Sequence, residues 1–141
     1  MVEILLRSDP SKLTHSLQNE FRNSNQESVH MRLTIRSHIW RPPTDVYETE
    51  DAILVRVEIA GMNEADFSII LDGQYLLIRG MRAEPPERRA YHQMEIPFGE
   101  FATEVELPHP VLAKDAEAFY TNGFLRIILP KARPQKIFIT D

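Results

Sequence analysis

The chain has 141 residues, 43% of them hydrophobic and 26% charged, a size and balance suited to one globular domain with short appendages. A net charge of −5 with both signs interspersed speaks against nucleic-acid binding, which needs a concentrated basic face. The absence of cysteine excludes disulfides, thiolate metal sites and a cysteine nucleophile. No apolar run approaches the roughly 20 residues of a membrane-spanning helix. The opening MVEILLRSDP carries Glu3 and too short an apolar stretch for a signal peptide, so a soluble, cytoplasmic protein without stable membrane insertion is expected.

Residues 1–39 differ in character from the rest and are expected to form an N-terminal arm. Asp9-Pro10 has the form of a helix start, with Asp9 as N-cap and Pro10 in the first helical position. Leu13, Leu17 and Phe21 then recur at i, i+4 and i+8 as one narrow apolar stripe, and Asn23-Ser24-Asn25-Gln26 ends the helix. From Val29 the period becomes two, with Val29, Met31, Leu33 and Ile35 on one face of a short strand. A stripe of three residues builds no core of its own. The arm must pack on its own domain, or on partner subunits and clients.

Trp40-Arg41-Pro42-Pro43 marks a boundary, because neither proline can donate a ladder hydrogen bond. The signals after it are almost all β. Residues 46–49 suggest a short strand, and Ile53, Val55, Val57 and Ile59 alternate as a half-buried one. Ala60-Gly61-Met62 breaks the run, and residues 63–66 suggest a turn capped by Asn63. Phe67, Ile69 and Leu71 alternate next. Asp72-Gly73-Gln74 follows as a bulged or three-residue turn, and residues 75–79 return. GMRAEPPERR, from Gly80, is charged and Pro-rich and should be an exposed loop. A further strand is expected over Tyr91-His92-Gln93-Met94-Glu95-Ile96. Phe101, Thr103, Val105 and Leu107 then alternate up to Pro108. Ala116, Ala118 and Tyr120 lead into Asn122-Gly123, the strongest hairpin signal in the chain, and Leu125, Ile127 and Leu129 form the second arm. Seven or eight short strands at this spacing indicate an all-β, antiparallel sandwich over residues 40–131. Residues 132–141 form a tail whose Ile137-Phe138-Ile139 offers two alternate anchors for a sheet edge.

With these residues placed, the chain resembles the small heat-shock proteins, the α-crystallin-domain family. The most specific marker is Ala118-Phe119-Tyr120-Thr121-Asn122-Gly123-Phe124-Leu125 followed by Ile128-Leu129-Pro130-Lys131. Pro43-Thr44-Asp45-Val46-Tyr47-Glu48, Val57-Glu58-Ile59-Ala60-Gly61-Met62, Leu76-Leu77-Ile78-Arg79-Gly80 and Phe98-Gly99-Glu100-Phe101 fall in the family's order. The tail carries its Ile-x-Ile element as Ile137 and Ile139.

The resemblance implies an immunoglobulin-like sandwich and an ATP-independent chaperone that oligomerises and holds unfolding client proteins. It implies that a strand at Tyr91, His92, Gln93, Met94, Glu95 and Ile96 crosses to a partner subunit, making a homodimer that builds a larger oligomer. It implies a groove between Phe67, Ile69 and Leu71 on one side and Ala116, Ala118 and Tyr120 on the other, which receives Ile137 and Ile139 of a neighbour. The arm residues Leu5, Leu6, Leu13, Leu17 and Phe21 are the expected client-binding surface. Thr103 stands where the family usually has an arginine engaged in charge pairing near the dimer interface. The runner-up is a co-chaperone or scaffold of the CS-domain kind, which generally lacks the long crossing loop and the Ile-x-Ile tail.

Nothing in the sequence advertises catalysis or a cofactor. His15, His30, His38, His92 and His109 lack metal-site spacing, and the five glycines are scattered at turns instead of forming a phosphate loop. Ser68 has no nucleophile elbow around it.

Overall fold

The computed structural model describes residues 1–6 and 39–133. The expected helix bearing Leu13, Leu17 and Phe21, the strand from Val29 to Ile35, and the tail anchors Ile137 and Ile139 lie outside the described residues. The strands are β1 (Ile4–Leu6), β2 (Thr44–Glu48), β3 (Ala52–Glu58), β4 (Phe67–Asp72), β5 (Tyr75–Arg82), β6 (Gly99–Glu106), β7 (Glu117–Thr121) and β8 (Phe124–Pro130). They form two four-stranded sheets, β1-β4-β5-β6 and β2-β3-β8-β7. All strand pairs are antiparallel except β1 with β4.

The alternation visible in the sequence is the alternation of burial. Along β3 every second residue, Ile53, Val55 and Val57, is buried, and Leu125, Ile127 and Leu129 of β8 pair with them. From the facing sheet come Phe67, Ile69, Leu71, Leu76, Ile78, Phe101 and Val105. Two inward faces of aliphatic and aromatic side chains thus make one core. The hairpin at Asn122-Gly123 has positive φ at both residues, 53° and 80°, as a type I′ turn requires. The β4–β5 turn is shorter than the sequence suggested: Asp72 pairs with Tyr75, leaving the two-residue loop Gly73-Gln74. Gly73 alone takes positive φ there, 59°, so a glycine in the first loop position replaces the expected bulge.

Gly80 has a packing role. A Cβ on it would lie 2.4 Å from the Phe101 ring and 2.9 Å from the Asp66 carbonyl, so the ring sits directly on the backbone of β5. Two differences from the sequence reading matter for function. Residues 91–96 join neither sheet in the single chain. Residues 2–6, expected within a separate arm, are built into the sandwich.

Candidate functional site

The six groove residues come together where β4 and β7 run along neighbouring edges of the two sheets. Phe67, Ile69 and Leu71 face inward from β4, Ala118 is fully buried on β7, and Ala116 and Tyr120 pack partly buried against the same core. The rings of Phe67 and Tyr120 lie 5.0 Å apart and close one end. The Tyr120 hydroxyl donates to the Ile59 carbonyl at 2.8 Å and accepts from the Met62 amide at 3.3 Å. This ties β7 to the break after β3.

The groove contains a strand. β1 runs parallel to β4, with Ile4 opposite Ile69 and Leu6 opposite Leu71. On the other wall the Val2 amide donates to the Ala118 carbonyl at 2.8 Å. Val2 is 5% exposed and belongs to the core, Ile4 packs against it, and Leu5 turns outward to solvent. Sequence reasoning missed Val2 and Ile4, although their alternation across Glu3 was legible. Three residues are too few for periodicity to distinguish a strand from the start of an arm. Of the expected client-binding residues, Leu5 and Leu6 are exposed on β1, and Leu13, Leu17 and Phe21 fall outside the described residues.

The second candidate region is the long loop between β5 and β6. Its ends are clamped by Arg82, whose Nε donates to the Pro97 carbonyl at 3.0 Å and whose Nη1 donates to the Ala60 carbonyl at 3.3 Å. The guanidinium lies 4.5 Å from the Trp40 ring centre, a cation–π contact that flattens it in place. Beyond the clamp the loop contacts itself: Arg89 reaches the Pro85 carbonyl at 2.7 Å, and the Tyr91 hydroxyl donates to Glu84 at 3.0 Å. Tyr91, Met94 and Ile96 are exposed, Ile96 at 62%, so the loop offers apolar side chains to solvent. At the far edge of the other sheet, β2 also exposes Val46 and Tyr47. Its residues pair with β3 on one side, and its other side is an open sheet edge among the described residues.

Thr103 is 1% exposed and is the only buried polar residue among those described. Thr44 Oγ1 donates to the Pro42 carbonyl at 2.9 Å, so the 2.9 Å contact between the two hydroxyls is donated by Thr103. Arg41 Nε donates to Thr103 Oγ1 at 3.2 Å. An arginine therefore reaches this point of β6 from the Pro-rich boundary, and the threonine has the one acceptor it needs. Nearby, burial pushes the Glu104 carboxyl up while Arg79 and Arg41 draw it back down. At the opposite end Glu48 meets Lys131 at 3.0 Å and His109 at 3.2 Å, and the hydrogen bond from Lys131 chiefly holds its carboxyl below the ordinary range. Among the described residues no group of His, Asp and Glu is placed to hold a metal ion, and no helix is long and apolar enough to cross a membrane. What this arrangement can do is pair with extended apolar segments, at the β4/β7 groove and at the β2 edge.

Comparison with known proteins agrees. The model of the family described as Hsp20/alpha crystallin family matches residues 45–139. Small heat shock protein C2 of Rickettsia felis is 33% identical over 97 residues, covering 67% of this chain and 63% of that protein. A probable 15 kDa heat shock protein of Leptospira interrogans is 26% identical over 122 residues, 86% of this chain and 92% of the relative. The chain spans less than two thirds of the Rickettsia felis relatives it matches, 63% of one and 61% of another. Among solved structures, heat shock protein 16.0 of Schizosaccharomyces pombe superposes with a TM-score of 0.60 at 27% identity, over 72% of this chain and 99% of that one.

Proposed function

Since the chain belongs to the Hsp20/alpha crystallin family, whose members support a chaperone-type role, we propose that it is an ATP-independent holdase. In this reading it assembles through strand exchange and tail docking, and binds unfolding proteins to prevent their aggregation. The observation that carries the reading is the β4/β7 groove, which accepts an extended apolar segment by backbone pairing and by pockets for alternate side chains. Clients of different sequence share only exposed apolar surface, so recognition by apolar grooves and patches suits them. The exposed Leu5 and Leu6 belong to that client surface.

Dimerisation joins two features left open in the single chain. The segment Tyr91-His92-Gln93-Met94-Glu95-Ile96 projects exposed apolar side chains, and β2 presents an open edge. Pairing the segment with β2 of a partner would cover both. The tail leaves β8 at Pro130, and Arg133 is held by an ion pair to Asp51. The four residues from there to Ile137 span at most ~14 Å, so the tail enters a groove close to its own exit.

The test is thermal aggregation of a model client followed by light scattering, with no nucleotide present. Suppression at stoichiometric amounts is expected. Scattering identical to that of the client alone would refute the holdase reading.

A further inference from the structure

The groove offers one lane, and in this structure the chain's own beginning lies in it. We propose that Val2-Glu3-Ile4 is an internal occupant of the β4/β7 groove, equivalent to Ile137-Phe138-Ile139, and that it must leave before the tail docks. The inference rests on the tail-docking reading above and adds what controls it.

Three observations carry it. The two segments present the same pattern, β-branched apolar residues at i and i+2 around one intervening residue. They also need the same partners. The Ala118 carbonyl is taken by the Val2 amide, and the edge of β4 opposite Ile69 and Leu71 is taken by Ile4 and Leu6. A second strand cannot pair with groups already paired. Finally, β1 is built to leave. It is three residues long, and its Leu5 and Leu6 remain exposed. A pocket of about 240 Å³ stays open beside it, lined in part by Ala113, Ala116 and Lys114. An incoming strand can start in that pocket before the resident segment has fully left.

Occupancy therefore divides the chain between two states. With the segment docked the groove is closed to others; with it released, the groove and the apolar face of Val2 and Ile4 are free together. A docked segment reduces the tail's apparent affinity by the fraction of grooves it fills. Because both occupants belong to the chain, their ratio responds to assembly, where the tail's effective concentration is high.

The absence of native cysteine permits a direct test. Leu5 and Ile70 are register partners with outward side chains, so L5C/I70C locks β1 onto β4 when oxidised. The full chain carries I137A/I139A as well, which silences its own tails. The probe is a fluorescent synthetic peptide of residues 134–141, read by anisotropy. The expected result is a cross-link within one chain, and peptide affinity at least tenfold weaker in the oxidised than in the reduced protein. A variant lacking residues 2–6 should bind at least as tightly as the reduced form. Equal affinity in all three proteins would overturn the exclusion and leave tail docking standing. Absence of binding to all three would overturn both. A cross-link found only between chains, or none, would overturn the internal placement of the segment.

Discussion

A methyl group at position 80 has no room, because the Phe101 ring and the Asp66 carbonyl already fill the space. Gly80→Ala should therefore cost about 1–3 kcal/mol, the usual penalty for overfilling a packed core, measured by urea unfolding. No loss of stability would show that the ring moves aside freely. Charge acts at this scale as well. The Glu48 carboxyl is held below its ordinary range, first by the Lys131 hydrogen bond, with His109 adding to it. A group depressed in the folded state binds its proton more tightly in the unfolded one. Its contribution is thus present above the unfolded value and is lost as pH falls through the lower, folded one. The stability difference between the native chain and Glu48→Gln should shrink as the pH falls below about 5. A difference that fails to shrink below about pH 5 would contradict the assignment. The group is exposed, so the effect should also weaken with salt.

Among the elements, the β5–β6 loop depends on one side chain. Arg82 joins the loop's return at Pro97 to the break at Ala60 and stacks on Trp40, while residues 83–96 are exposed. Arg82→Ala should release the loop without dissolving the sandwich. The expected outcome is trypsin cleavage at Arg88 and Arg89 several-fold faster than in the native chain, with a melting temperature only slightly lower. Equal decreases in protease resistance and melting temperature would mean that the loop unfolds only with the core. The Asn122-Gly123 hairpin differs in kind. Its turn is decided by backbone chemistry at two residues, and the Gly123 carbonyl accepts the Ile59 amide at 2.8 Å, so the turn also pins the end of β3.

At the scale of the whole molecule, assembly should follow the groove and the open edge. Replacing Ile137 and Ile139 together by alanine removes two pocket fillers worth roughly 1.5–3 kcal/mol each, and the particle should shrink to dimers or small species in sedimentation. Unchanged particle size would reject tail docking. Deleting residues 91–96 should yield monomers, and persistent dimers would place the interface elsewhere. The groove beside β7 and the open edge of β2 lie at opposite edges of their sheet, so together the two changes should separate the dimer contact from the higher-order one.

Most of the sandwich was legible beforehand, for a physical reason. A strand buried on one face must alternate, and a tight hairpin must supply residues that tolerate positive φ. Both conditions are local, so β3, β4, β6, β8 and the Asn122-Gly123 turn could be read from neighbours in the chain. The groove's walls were legible by the same alternation, joined to a family resemblance. What fills the groove was not. Val2 forms a bridge and Ile4 starts a strand only because Ala118 and Ile69, more than sixty residues away, offer them an edge and a pocket. The clamp at Arg82 and the arginine at Thr103 were hidden likewise, since each joins residues from distant stretches of chain. A sequence records the tendency of a segment to extend; the partner it extends against is settled by which edges the folded core leaves open.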